Sequence, residues 1–392
     1  MLFQVLDNKN QCTSVYVDGE IKEASEDLNL TRTWFPASNF ANERYDCGII
    51  WSMGKTLDDC CPEDLKPYWL ALNKKASAFL NSFQKSKINL QDICFYDLMP
   101  DWFLLEFFEV KNQITEHVFK EEKKPENHDF LYDLIIFLKV LEKQKLNIDL
   151  HNLDMSESAV RKVVQKIKSS PPFISYNAFG TVTGRLTTNK NSFPILTLNK
   201  SLRRAIKPTN DCFIELDYNA AEIRVLFYLL GQDQPAEDIH QWISENIFAG
   251  KYTREQAKKK VFAWLYNPQA KNKKLNQFLD RDRLYEKYYL NNAVHTPFGR
   301  NIDVGRDKAV NYLVQSTASD MFLHSAMKIN KILSDRKSTV SFCVHDSLVL
   351  DYSLEDRPLV EEILQQFGDT KLGKIKTNLR IGKNFGVMRE VK

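Results

Sequence analysis

A chain of 392 residues, 43% of them hydrophobic, is too long for one compact core and suits two or three subdomains. No apolar run approaches the roughly 20 residues that span a bilayer. The segment Met1 to Asp7 lacks the basic-then-apolar layout of a secretory leader, so a soluble, cytoplasmic protein with no membrane partner is expected. Seven cysteines, an odd number with no Cys-x-x-Cys pair, indicate neither a disulfide framework nor a thiolate zinc site. The net charge is only +3, but its distribution is uneven. From Ser158 to Asn210 there are ten basic residues, among them Arg161, Lys162, Lys166, Lys168, Arg185 and Lys207, and no acidic one. From Lys251 to Val310, fourteen basic residues face six acidic ones. Most charge runs are solvated faces, yet a long stretch without a carboxylate suits a polyanionic partner.

In chain order, Met1 to about Lys22 alternates apolar and polar residues around Asn8-Lys9-Asn10 and Asp18-Gly19, which predicts two hairpins. Pro62 to about Ser86 has apolar positions at helical spacing, so a small α/β region is expected over residues 1–101. From Trp102 to Leu150 the pattern is helical twice, interrupted by the charged, Pro125-containing stretch Glu121 to His128. Beyond Pro171-Pro172 the chain turns to mixed strand and helix, and a boundary is placed near residue 170.

Three segments carry chemistry. Cys212 to Leu229 opens as a β-branched and aromatic run and continues at helical spacing, with Asp217 at the junction. A carboxylate at a strand end suits Mg²⁺, which takes one or two carboxylates plus phosphate oxygens and water; a helix N-cap explains a single Asp equally well. Ser338 to Tyr352 reads as two strands with His345-Asp346 at the tip between them, although Asp is common in ordinary turns. Two aspartates meeting at neighbouring strand ends would bridge two metals about 3.5–4 Å apart. Between them, Arg254, Lys258, Phe262 and Tyr266 recur every four residues and share one helix face. Two cations followed by two aromatics suit a triphosphate at one end and a base at the other; an amphipathic surface helix is the plainer reading.

Taken in order, these segments resemble the family A DNA polymerases, the group that contains the bacterial repair polymerase and several phage replicases. Phe179-Gly-Thr-Val-Thr-Gly184-Arg185-Leu-Thr-Thr188 is similar to the family's Thr-x-Thr-Gly-Arg-Leu signature, and Asp217-Tyr-x-x-x-Glu222-x-Arg224 to its motif A. Asp238-Ile-His240 and the Arg254 to Tyr266 series resemble the fingers and their O helix. Thr296-Pro-Phe-Gly-Arg300, Asn311 to Asp320, Val344-His345-Asp346 and Ile381 to Gly386 resemble the later palm blocks. The resemblance covers residues from about 170 to the end. It implies a mixed α+β right-hand fold with an antiparallel-sheet palm (171–235 and 296–392), helical fingers (236–295) and helical thumb (102–170).

The same resemblance implies a DNA-directed DNA polymerase that extends a primer 5′ to 3′ from dNTPs. Asp217, Asp346 and the Tyr218 carbonyl would hold two Mg²⁺ ions, with Mn²⁺ as a substitute. Glu222 would be the steric gate against ribonucleotides. Arg254, Lys258 and His240 would meet the triphosphate, Lys258 also as proton donor to the leaving pyrophosphate. Phe262 would pack on the incoming sugar and base and Tyr266 near the template base. Arg185, Asn311 and Gln315 would contact the primer-template DNA, and His345 the primer end. A separate exonuclease, helicase or processivity factor is the further partner class.

The chain also departs from the family pattern. Ser347 stands where a Glu usually follows the His-Asp pair, Ala263 replaces the O-helix glycine, and Ile195-Leu-Thr-Leu-Asn199 replaces an Asn-Leu-Gln-Asn-Ile-Pro block. Asp18-Gly-Glu20 fits the Asp-x-Glu pattern of a proofreading exonuclease, but is more simply a hairpin turn, so no proofreading is expected. The compact size and the lack of a clear exonuclease suggest a phage or other mobile element, with phage DNA replication expected and a host cytoplasm if the chain is phage-encoded. A single-subunit RNA polymerase is the rival enzyme, opposed by Glu222. A non-catalytic DNA-binding accessory is the rival of another class, opposed by retention of Asp217, Asp346, Arg254 and Lys258.

Overall fold

The computed structural model describes residues 1–7, 12–36, 44–88, 93–151, 161, 164, 165, 167, 171–267, 269, 270 and 272–391. The turn at Asn8 to Asn10 and the basic residues Lys162, Lys166 and Lys168 lie outside them. The chain divides into two compact units, Met1–Ile136 and Phe137–Lys392. Among the described residues, no helix is long and apolar enough to cross a membrane.

The first unit carries a three-stranded antiparallel sheet of β1 (Phe3–Val5), β2 (Ser14–Val17) and β3 (Glu20–Glu23). Asp18 and Gly19 both take positive φ, 50° and 83°, the backbone a two-residue hairpin needs to match strand twist. The Asp-Gly-Glu triplet is therefore a turn, and Glu20 is exposed and paired with Lys22. Helix α1 (Lys66–Lys85) begins with Pro67 in its first turn, where a missing amide hydrogen costs nothing. It packs with α2 (Asp101–Glu121) over Leu72, Phe103 and Phe108, and Leu6 and Tyr16 join the same core. Helix α3 (His128–Glu142) follows, so both helices expected between residues 102 and 150 are present.

The second unit contains a five-stranded antiparallel sheet. Its order is β5 (Thr339–Val344), β6 (Ser347–Tyr352), β4 (Cys212–Tyr218), β7 (Thr377–Gly382) and β8 (Arg389–Val391). The central strand β4 is almost continuously buried, as a strand covered on both faces must be. Its side chains alternate. Tyr218 stacks on Phe367 of α8 (Val360–Gly368) with ring centroids 4.5 Å apart, so Ile214 and Leu216 share that covered face. Phe213, Glu215 and Asp217 point the other way. The helix α7 (Arg306–Ile332) packs against α8 and against α4 (Ala221–Leu229), burying Val314, Ala318, Met321 and Phe322 along its length. Helices α5 (Ile239–Asn246) and α6 (Arg254–Tyr266) pack against each other; Thr253 and Gln256 form a reciprocal cap at the start of α6.

Candidate active site

The register of the central sheet brings the two acidic motifs together. Asp217 pairs with Ser347 on β6 and with Asn378 on β7, and Asp346 is the residue immediately before Ser347. The two carboxylates thus stand at adjacent strand ends. Asp217 is not a helix N-cap: that position belongs to Ala220, which takes the left-handed conformation (φ 55°) to turn the chain from β4 into α4. His345 takes the same conformation (φ 55°) at the β5–β6 turn. Both acid-bearing turns therefore hold non-glycine residues in a backbone region that costs about 1 kcal/mol or more, a strain that clusters at functional sites.

The electrostatics fit a cation. Burial pushes the Asp217 carboxyl up to about 6; the neighbouring charges of Glu215 and Asp346 push the same way, against Arg380 and an Asn378 hydrogen bond. Burial also raises Asp346, opposed by Arg185 and His345. Carboxylates that are desolvated and near one another, with too little positive charge, are what a bound divalent ion relieves. Among the described residues no three His, Cys, Asp or Glu side chains cluster as a metal cage. Two carboxylates with open positions for phosphate and water are the set Mg²⁺ takes in nucleotide-handling sites. The Tyr218 side chain is turned away from these carboxylates: its ring is buried and its hydroxyl donates to the Phe367 carbonyl at 2.8 Å. Ser347 donates to the Val344 carbonyl at 3.1 Å and closes the turn.

Glu222, in the first turn of α4, is buried and held from two directions. Arg185 Nη2 donates to one oxygen at 2.5 Å, and the Tyr266 hydroxyl donates to the other at 2.6 Å. Burial raises its carboxyl despite both partners, and burial together with Glu222 raises the Tyr266 phenol. Arg185 is aimed by its loop. Gly184 takes φ +76° so close to Arg300 that a Cβ there would lie 2.4 Å from Arg300 Nη2. Arg300 is itself fixed by a buried bidentate pair to Asp320 at 3.0 and 2.7 Å, Ser319 donates to the Gly184 carbonyl, and Thr183 donates to Gln315 at 2.7 Å.

On α6, Phe262 and Tyr266 stack with centroids 5.9 Å apart, and His240 of α5 lies 6.0 Å from the Phe262 ring. The one-face expectation for the helix holds. His240 is buried with Nδ1 lacking a partner; burial, helped by Lys258 and Arg254 and opposed by Asp238, pulls its pKa down to about 4. Arg254 donates through Nε and Nη2 to the two oxygens of Asp238 at 3.0 and 2.8 Å. Asn311 is half-buried with its Oδ1 unpartnered, and His345 is exposed beside a cavity of about 50 Å³ that Arg185, Ser319 and Cys343 also line.

The geometry therefore joins Asp217 with Asp346, Glu222 with Arg185 and Tyr266, and His240 with Phe262. Three residues had no assigned role in the sequence: Asp238 as the partner of Arg254, Asn378 beside Asp217, and Arg380, which pairs with Glu215 at 3.2 Å. A signal existed for Glu215, because residues two apart on a strand share a face with Asp217. The acid-free segment is partly consumed within the chain. Lys207 pairs with Asp149, Arg203 lies over Phe385 and Arg185 holds Glu222, while Lys190 and Lys200 stay exposed.

No family model matches the chain. It is similar to a DNA polymerase of Bacillus phage SP01, 24% identical, over 54% of this chain and 31% of that one. It is likewise similar to DNA polymerase I of Chloroflexus aurantiacus, 23% identical, over 55% of this chain and 29% of that one. The chain thus spans about a third of the length of these curated relatives. Among solved structures it is similar to the polymerase domain of Pol1 from M. smegmatis in complex with DNA primer-template and dNTP, at TM-score 0.46 and 14% identity, covering 72% of this chain and 55% of that one. In sequence, the chain is similar to these two DNA polymerases over about half of its length.

Proposed function

We propose that this chain extends a DNA primer 5′ to 3′ by nucleotidyl transfer from dNTPs, without proofreading of its own, in phage DNA replication. The observation that carries the reading is the meeting of Asp217 and Asp346 at adjacent strand ends, with uncompensated charge. In this reading residues 171–235 and 296–392 are the palm, 236–295 the fingers and 102–170 the thumb. Asp217, Asp346 and the Tyr218 carbonyl would hold two Mg²⁺ ions, which when bound would activate the attacking oxygen and neutralise the leaving pyrophosphate.

The chain's own residues do the rest. Lys258 and Arg254 hold the triphosphate; Lys258, one helical turn beyond Arg254, supplies a proton to the departing oxygen. His240, neutral above about pH 4, offers a hydrogen bond rather than a charge. Phe262 presents its ring to the sugar and base, with Tyr266 stacked behind it. Glu222 closes the space beside the sugar C2′, where a hydroxyl would clash or leave a buried carboxyl badly paired. Its clamp by Arg185 and Tyr266 supports this role, since a gate must not swing aside. Arg185, Asn311, Gln315 and His345 face the primer-template.

Primer extension in Mg²⁺ with dNTPs and, separately, with rNTPs tests the reading. Extension with dNTPs only, lost in Asp346→Asn, is expected. Extension with rNTPs alone would make the chain an RNA polymerase, and none with either would leave a DNA-binding accessory.

A further inference from the structure

We infer that Asp238 is a resident competitor for the nucleotide triphosphate: it occupies Arg254 in the ligand-free protein and thereby sets nucleotide affinity. This rests on the proposed role of Arg254 and goes beyond it.

The Nε–Nη2 edge of the Arg254 guanidinium is taken by Asp238. Nε and Nη2 meet the two Asp238 oxygens at 3.0 and 2.8 Å, and Nη1 meets Glu255 at 2.5 Å, so carboxylates cover all three nitrogens. A planar two-oxygen anion is what a guanidinium fork recognises, and a phosphate presents the same pair of oxygens. Asp238 is therefore shaped like the ligand it precedes. Lys258, on the same face one turn away, has no carboxylate at ion-pair distance among the described residues. One cation of the pair is ready and the other is engaged.

Asp238 cannot travel with Arg254. Its Oδ1 accepts the backbone amides of His240 at 3.1 Å and Gln241 at 2.9 Å, capping α5, and its Oδ2 accepts from Asn219 at 3.3 Å. Asn219 is fixed in turn: its carbonyl and side-chain oxygen accept from Arg224, a buried residue that also donates to the carbonyls of Pro235 and Glu237. Asn219 lies two residues beyond Asp217, so the competitor is tied to the turn that bears the catalytic carboxylate. When Arg254 swings to a triphosphate, the carboxylate stays behind. The step is an exchange of anions.

The exchange is affordable because the ion pair is partly solvated: the Arg254 and Asp238 side chains are 41% and 29% exposed. Water around the pair screens it, and a triphosphate brings more negative charge to the guanidinium than one carboxylate does. The opposite possibility is that Asp238 braces Arg254 in its working pose while the triphosphate is bound, and the two ideas predict opposite signs.

The test is Asp238→Asn in the full chain. Asparagine keeps the oxygen that caps α5 but removes the charge; Asp238→Ser, an equally good cap, serves if the first variant folds poorly. Competition predicts that KM for dNTP falls about two- to fivefold, the scale of an exposed ion pair, with kcat within about twofold. Calorimetric titration with inorganic tripolyphosphate, without DNA, should show the same gain, and Arg254→Ala added to Asp238→Asn should abolish it. An unchanged or raised KM and tripolyphosphate Kd would overturn the inference. Absence of primer extension by the unaltered chain would instead sink the polymerase reading, while the titration would still report on the exchange.

Discussion

Replacing Asp217 by Asn should make the metal-free protein more stable while abolishing extension. In the fold, this carboxyl is pushed up from 3.8 to about 6, first by burial and then by Glu215 and Asp346. A raised carboxyl binds its proton more tightly folded than unfolded, so its favourable contribution is complete below about pH 4 and lost as pH rises through about 6. At pH 8 the ionised group therefore costs the fold up to roughly 3 kcal/mol, at 1.36 kcal/mol per unit. Partial solvent exposure reduces that, so a gain of about 1–3 kcal/mol is expected for Asp217→Asn. Asparagine keeps the shape beside Asn378. The assay is urea unfolding in EDTA at pH 4, 6 and 8, repeated with excess Mg²⁺. The variant should gain at pH 8, match the parent near pH 4, and lose most of the Mg²⁺-dependent stabilisation shown by the parent. A variant less stable than the parent at pH 8 in EDTA, or a difference independent of pH, would refute the argument.

Gly184→Ala forces a Cβ to 2.4 Å from Arg300 Nη2 at a φ of +76°, and should cost about 1–3 kcal/mol in urea unfolding while slowing extension by displacing Arg185. His240 binds its proton less tightly folded, at about 4 against 6.5, so between those values the unfolded state holds more protons and stability should rise with pH, by about 3 kcal/mol in all; unfolding curves of His240→Gln should lack that rise, and an unchanged slope would show the imidazole to be solvated. Glu222→Ala should admit ribonucleotides without altering dideoxynucleotide use, while Phe262→Tyr should do the reverse, each by roughly 1–3 kcal/mol of lost contact or clash. Nucleotide competition assays on both variants read the two effects separately, and Phe262→Tyr with unchanged dideoxynucleotide selection would break the register assigned to Arg254–Tyr266.

What the sequence made legible was local. The strand-to-helix switch at Asp217, the hairpin around Asp346 and the one-face series on Arg254–Tyr266 follow from periodicities of 2 and 3.6, and all three stand in the structure. That Asp217 and Asp346 meet was not legible, because it depends on the pairing of β4 with β6 across more than a hundred intervening residues. Partner choice was hidden for the same reason. Arg185 reads as one cation in an acid-free stretch, yet its Nη2 lies on Glu222, and Lys207 reads as surface charge yet pairs with Asp149. Composition reports how much charge a segment carries, whereas tertiary contacts decide how much of it remains for a partner. Asp238 shows the limit most sharply: its two-oxygen hold on Arg254 requires α5 and α6 to pack side by side.

The Arg185–Glu222–Tyr266 contact joins three separate blocks of sequence: a loop pinned by Arg300 and Asp320, the first turn of α4, and the last residue of α6. If α6 shifted relative to the sheet, Tyr266 would leave Glu222 and one of the two donors that oppose the upward pull of burial would be lost. Glu222 would then be easier to protonate and freer to turn. The hold on Glu222 is therefore coupled to the position of α6, and α6 is also the helix that bears Arg254. Release of Arg254 from Asp238 and retention of Tyr266 on Glu222 both depend on where that one helix sits. On the proposed roles, a correct nucleotide would have to satisfy both ends of it: its phosphates would displace Asp238, and its sugar would leave the Glu222 clamp undisturbed. A ribonucleotide would then meet the first condition but not the second. On that reading, discrimination against it would fall on the placement of α6 as well as on contact at C2′.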